Sequence, residues 1–311
     1  MPRRVEDGRP FNCASGKIAA IHRTLRVIMK LNILCIGDIV GRPGRRVVSN
    51  KLKTLIRKMD IDCVIANAEN AAGGSGLTPQ IYEKLLRAGV NLITLGDHTY
   101  RKRSIIPTLE TADNIVRPAN FSERAAGKSV AFYKTNKGPV VAVVALIGRL
   151  FMKPGDCPYA AIDRILPRID QEADIVVVDF HAEATSEKIA MGYHLDGRVA
   201  LCFGTHTHVV TADEKILRNG TAYITDIGMT GAHDSILGRG VESVLKAFRT
   251  QMPYPFEIAT GDARMNGVLV TLDSNTKKAE KIQRLSVAAE TEDSKTYDSD
   301  DGKPEYLNNN F

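Results

Sequence analysis

Asn32-Ile33-Leu34-Cys35-Ile36-Gly37-Asp38-Ile39-Val40-Gly41-Arg42 opens the organised part of this 311-residue chain. Ile33–Ile36 is a short apolar run closed by a glycine and a carboxylate, which reads as a buried strand. A helical pattern follows over Arg45–Met59, and the alternation then repeats: Cys63–Ala66 before Pro79–Ala88, Leu92–Leu95 before Ser104–Leu109. Strand then helix, three times over, predicts an α/β fold with parallel strands and covering helices. Thr78-Pro79 supplies a capping hydroxyl and a proline suited to the first helical position. Further strands are expected at Val140–Leu146, Ile175–Phe180, Ala200–Phe203, Ala222–Thr225 and Gly267–Leu272, and a short packing helix near Ser186–Met191.

The flanks differ from this body. Residues 1–30 carry seven Lys/Arg against two Asp/Glu, residues 290–311 carry two against seven, and the net charge of +6 is left to the segment between. A leader of 1–30 is expected to be disordered or a start-site extension, since Met29 lies just before the first strand. An Arg-rich targeting segment fits less well, because Glu6 and Asp7 are out of place in one. The domain is expected over 31–285 and an acidic disordered tail over 286–311. A mildly basic body suits an anionic substrate. No run approaches the ~18 apolar residues of a membrane span, and no apolar signal region opens the chain, so a cytoplasmic location without membrane attachment is expected. Five cysteines without a CxxC pair, with Cys35, Cys63 and Cys202 inside apolar runs, read as buried free thiols. Aromatics are 6% of the chain, tryptophan is absent and basic residues are dispersed, which argues against a stable nucleic-acid complex.

Chemistry-bearing residues follow the ends of the apolar runs. Asp38 follows the first, Glu69 and Asn70 the second, Asp97 and His98 the third. His181 closes Val176–Phe180, and His206 and His208 follow Leu201–Phe203. In open α/β sheets the carboxyl ends of parallel strands line the ligand crevice, so these loops can converge. Carboxylates with neutral imidazoles form a mixed O/N donor set suited to Mn, Fe or Zn more than to Ca. Each acid alone reads as readily as a cap or turn residue. The His206-Thr207-His208 pair is the stronger signal: in an extended segment, alternate residues project to one side. Gly73-Gly74-Ser75-Gly76 lacks the Gly-Lys-Ser/Thr of a P-loop and reads as a loop at the site's edge. His194 and His233 stand in isolated loop contexts and read as surface or structural residues.

These residues resemble the calcineurin-like metallophosphoesterases, and within them the YmdB-like family. The resemblance covers Leu31 to Leu285. It rests on Gly37-Asp38-Ile39-Val40-Gly41-Arg42, Ala68-Glu69-Asn70-Ala71-Ala72, Arg117-Pro118-Ala119-Asn120, Asp179-Phe180-His181-Ala182-Glu183-Ala184-Thr185, Gly204-Thr205-His206-Thr207-His208 and Thr225-Asp226-Ile227-Gly228-Met229-Thr230-Gly231. It implies a four-layer α-β-β-α sandwich and two divalent or mixed-valence metal ions, Fe or Mn ahead of Zn. Glu69 would bridge them, with Asp38, Asn70 and His208 on one and Asp97, His181 and His206 on the other. His98 would be the proton donor. The family usually carries Gly-Asn-His where this chain has Gly96-Asp97-His98. Asp97 either adds a third carboxylate to the metals or stays protonated and imitates the amide.

The expected reaction is hydrolysis of a small phosphodiester, cyclic nucleotides first: a metal-bridging hydroxide attacks phosphorus in line and His98 protonates the leaving alkoxide. A phosphomonoesterase or 5′-nucleotidase is the second reading and would need a further cation for the dianionic phosphate, with Arg42 and Arg117 as candidates. A non-catalytic nucleotide-binding regulator with a degenerate metal site is the third, and a homo-oligomer is compatible with all of them.

Overall fold

The computed structural model describes residues 30–289. Strand Lys30–Ile36 pairs in parallel with Cys63–Asn67, which pairs in parallel with Leu92–Thr94 and, through it, with Ile115–Val116. On its other side Lys30–Ile36 lies antiparallel to Ala263–Asp273, which also carries Ala279–Ala288 and Met229–Ala232. With Asp38–Ile39 these form an 8-stranded sheet. A second, 6-stranded sheet is centred on Val140–Ile147, Ile175–His181, Leu201–Thr205 and Ala222–Ile224, all parallel.

The period-two alternation of strand side chains divides the interior into three cores. Ile33, Cys35, Cys63 and Val268 of the first sheet pack against Val141, Val143, Val177 and Phe203 of the second. Their neighbours Leu34, Ile36 and Val64 turn the other way, onto Val47 and Leu52 of helix Gly41–Lys58 and Ile81 and Leu85 of helix Pro79–Ala88. Val144 and Val178 meet Ile162 and Leu166 of helix Pro158–Ile169 and Met191 and Leu195 of helix Thr185–Leu195. The result is the expected α-β-β-α sandwich, with two sheets face to face and helices on both outer surfaces.

Several elements lie outside the sequence expectation: strands Val130–Lys134, Met229–Ala232 and Ala279–Ala288 and helices Pro158–Ile169 and Val241–Thr250. The last strand carries the ordered domain three residues past Leu285. The expected leader, apart from Lys30, and the tail from residue 290 lie outside the described residues. Helix Pro79–Ala88 starts as read, with the Thr78 hydroxyl accepting the Ile81 N–H and Pro79 in the first turn. Cys35, Cys63 and Cys202 are buried free thiols. Among the described residues no helix is long and apolar enough to cross a membrane.

Candidate metal centre

The parallel strands of both sheets end at one edge, and the loops leaving them meet there. Asp38 is fully buried. Its Oδ2 accepts the His206 backbone N–H at 3.1 Å, whereas its Oδ1 has no hydrogen-bond partner. Burial pushes the Asp38 carboxyl well above the usual range, against the pull of His181 and with the added repulsion of Glu69. An orphaned acid oxygen 3.9 Å from His208 Nε2 is a position that a cation would satisfy.

Glu69 stands between two groups of donors: its Oε1 lies 3.2 Å from His181 Nε2 and 3.3 Å from Asn70 Nδ2. Burial works against its charge, but His181 and His98 outweigh it and hold the carboxyl at about 2. Gly96 makes room for this contact, since a Cβ there would lie 2.3 Å from the His181 ring and 2.5 Å from Glu69 Oε2. Asn70 turns its amide nitrogen toward Glu69 and, at 3.2 Å, toward His208 Nε2, while its Oδ1 accepts from His98 Nδ1 at 2.7 Å. An oxygen ligand from Asn70 therefore requires its amide to turn over.

Asp97 Oδ1 lies 3.2 Å from His181 Nε2 and 3.6 Å from His206 Nδ1, and its Oδ2 lies 3.6 Å from Lys153 Nζ. Burial opposes its charge, but the His181 hydrogen bond and the charges of His98 and His181 hold the carboxyl far below the usual range. Of the two readings of Asp97, this environment favours the ionised carboxylate.

Each of the three candidate imidazole ligands uses one nitrogen outward and keeps one inward. His181 Nδ1–H donates to Thr205 Oγ1 at 2.8 Å, because the Thr205 hydroxyl itself donates to Asp179 Oδ1 at 2.6 Å. His206 Nε2 lies 3.2 Å from Glu183 Oε2, and His208 Nδ1 donates to the Leu237 carbonyl at 3.1 Å. Such outer partners fix the tautomer and aim the other nitrogen at a metal. The inward nitrogens crowd one another, with His206 Nδ1 only 3.0 Å from His181 Nε2. Burial and the neighbouring His181 push His206 down to about 3. For His181 burial favours the neutral ring, yet Glu69 and Asp97 override it and hold the ring well above its ordinary value. One donor atom from each of Glu69, Asp97, His181 and His206 falls within 4.8 Å of the others, so the donor chemistry fits a cation.

All eight sequence-selected residues, Asp38, Glu69, Asn70, Asp97, His98, His181, His206 and His208, are thus brought together. The argument that selected the last two needs correction. The strand ends at Thr205, and His206 and His208 have φ of 97° and 65°, so the turn is left-handed and not extended. It is held by buried Asp226, which accepts from the Thr207 N–H and hydroxyl, the Gly228 N–H and, at 2.6 Å, Lys188. Arg117 is no phosphate ligand as placed: its guanidinium donates to the Ala125 and Pro118 carbonyls. His194 lies in the last turn of helix Thr185–Leu195 and not in the loop expected of it, and there pairs with Asp163; His233 bonds Gly231 and Asn266, so both have the surface or structural role read for them. The Gly73–Gly74 loop is tied by Arg239 through both carbonyls.

Thr94, Asp179, Glu183, Thr205, Lys188 and Asp226 were not selected from the sequence. For Asp179 a signal existed: a carboxylate inside an apolar strand must find partners, and it has Asn67, Thr94 and Thr205.

Residues 34–285 match the model of the YmdB-like protein family. The chain belongs to that family. A 2′,3′-cyclic-nucleotide 2′-phosphodiesterase of Bacillus subtilis is 45% identical over 257 residues, 83% of this chain and 97% of that protein. Among solved structures, a phosphatase from Mycoplasma pneumoniae superposes with a TM-score of 0.79 at 34% identity, over 84% of this chain and 95% of that one. A hypothetical protein from Thermus thermophilus gives 0.78 at 40%, over 83% and 99%.

Proposed function

We propose that this chain is a metal-dependent phosphoric ester hydrolase that opens 2′,3′-cyclic nucleotides with two divalent cations. The observation that carries the reading is Glu69: one oxygen stands 3.2 Å from His181 and 3.3 Å from Asn70, between an Asp97–His181–His206 group and an Asp38–Asn70–His208 group. Membership of the family and the relatives named as phosphodiesterase and phosphatase support a hydrolase over a non-catalytic regulator. Fe or Mn suits the donor set, with Zn third. What such a pair supplies when bound is Lewis acidity toward the phosphoryl oxygens and a water acidic enough to attack near neutral pH.

The chain's own residues do the rest. Asp38, Glu69 and Asp97 balance the cations' charge, and Thr205, Glu183 and the Leu237 carbonyl keep the imidazoles aimed. His98 Nδ1 lies 2.7 Å from the Asn70 side-chain amide; with that amide turned over so that its oxygen faces the cation, Nδ1 accepts from the Asn70 nitrogen and Nε2 carries the proton given to the departing ribose oxygen. The His98 backbone N–H, donating to Glu69 Oε2 at 2.9 Å, ties that proton donor to the shared carboxylate. Of the two cations that a dianionic monoester could call on, Arg42 and Arg117, the second is bound to backbone carbonyls, which weighs toward a diester.

The test is hydrolysis of adenosine 2′,3′-cyclic phosphate by chelator-treated protein titrated with Mn²⁺, beside His98→Ala. Turnover is expected to depend on metal and to fall about 10²–10⁴-fold in the variant at unchanged metal content. Loss of bound metal in His98→Ala would make His98 a ligand instead, and preference for aryl phosphate monoesters over diesters would reverse the substrate ranking.

A further inference from the structure

A cavity of about 1000 Å³ opens beside the centre, with Asp97 as the shared wall. Tyr100 and Phe121 line it with ring centroids 6.2 Å apart and planes inclined at 33°. Tyr100 is fixed by its hydroxyl, which donates to the Ala126 carbonyl. The segment from Lys153 to Asp156 also lines it, and Asn120 holds that segment: its Nδ2 donates to the Ile147 and Asp156 carbonyls at 2.9 Å, and its Oδ1 accepts the Ile147 N–H. The Arg117-Pro118-Ala119-Asn120 motif, which has no role in the centre itself, thus shapes this cavity.

Charge and position decide what it takes. Arg101, Arg124 and Lys153 alternate with Glu123 and Asp156 around the lining, so the cavity beyond Asp97 is of mixed charge and not a strongly basic groove. What remains is a preformed recess with two aromatic rings, which suits a flat, uncharged group. His98 Nε2 lies 3.6 Å from Asp97 Oδ2, so the proton donor stands on the cavity side of the centre, where the leaving oxygen and its attached sugar would lie.

We propose that this cavity is a nucleoside pocket in which the base of a cyclic mononucleotide stacks on Phe121, buttressed by Tyr100. The inference rests on the phosphodiesterase reading for its substrate class.

The protein contains no tryptophan, so Phe121→Trp places a single fluorescent reporter on the proposed platform. Titrating adenosine 2′,3′-cyclic phosphate into the Mn²⁺-loaded Phe121→Trp variant, with His98→Ala added to suppress turnover, is expected to quench it saturably, whereas base-free glycerol 1,2-cyclic phosphate is not. In parallel, Phe121→Ala is expected to lose catalytic efficiency on the nucleotide about tenfold or more beyond its loss on the glycerol diester, the scale of base–aromatic stacking. Phe121→Tyr is expected to restore that preference, which separates stacking from a folding defect. Equal losses on both diesters, or no quenching by the nucleotide, overturn the pocket. Quenching by the nucleotide without hydrolysis of either diester by the wild-type protein supports the pocket and defeats the reaction assigned to the centre. Hydrolysis of both without quenching does the reverse.

Discussion

His181 is the residue on which the centre turns. Its ring is fully buried, its Nδ1 is committed to Thr205, and its Nε2 faces Glu69, Asp97 and His206 within 3.2 Å. Thr205 sets this orientation only because its own proton goes to Asp179, which also accepts from Thr94. Thr205→Val keeps the shape and removes the acceptor, so the imidazole loses the partner that fixes its tautomer. Metal affinity is expected to fall about 10–100-fold, the usual effect of removing an outer partner of a metal-binding histidine. Calorimetric titration of the chelated variant with Mn²⁺ measures this, and unchanged affinity would show that the Thr205 contact is incidental.

At the scale of elements, the turn carrying His206 and His208 holds two non-glycine residues in left-handed backbone, at a cost of about 1–3 kcal/mol each. Asp226 and Lys188, buried to 1% and 2% exposure, supply the restraint. Lys188→Met leaves the Asp226 carboxylate buried without its cation, which costs about 3–5 kcal/mol and is expected to lower the Tm by about 10 °C in a domain of this size. Thermal denaturation followed by circular dichroism tests this; a Tm within a degree or two of wild type would mean that the hydrogen bonds from Thr207 and Gly228 suffice. Such support was only half readable from the sequence: Asp226 stands in one of the motifs that carry the family resemblance, but its partner Lys188 lies on a helix far from it in the chain and does not stand out until the sheets assemble. The acids and imidazoles were readable, because each follows an apolar run, and the central parallel strands were readable because burial on both faces leaves them continuously apolar. Strands Val130–Lys134 and Ala279–Ala288 escaped for the opposite reason. Half-exposed and antiparallel, they mix polar with apolar residues, and their partners, Val140–Ile147 and Ala263–Asp273, are not implied by a strand–helix rhythm.

For the molecule as a whole, the centre joins the two sheets, Glu69 and Asp97 arriving from one and His181 and His206 from the other. Without a cation the sheets meet through protons. The raised His181 ring contributes stability fully present below its unfolded value of about 6.5 and lost as pH rises through its folded value. Asp38, raised by burial, acts in the same direction: the native state holds a proton that the unfolded chain gives up above about 3.9, so stability declines with pH until its folded value is passed. Glu69 and Asp97 are depressed, so their contributions are present above about 4 and are lost only as pH falls through their folded values. Above neutrality, then, the raised groups of the centre, His181, Asp38 and Asp179, are the ones still more protonated in the native state, and the metal-free protein is expected to lose stability over the interval above about pH 6.5. A cation replaces those protons and releases them on binding. The gain in Tm on adding saturating Mn²⁺ to chelated protein is therefore expected to grow across that interval, with proton release visible when the calorimetric titration is repeated in buffers of different ionisation enthalpy. A gain that stays flat or shrinks with rising pH, with no protons released, would mean that the cation binds without displacing the His181 and Asp38 protons, and that the contacts among the inward-facing nitrogens and carboxylates are not where the metal sits.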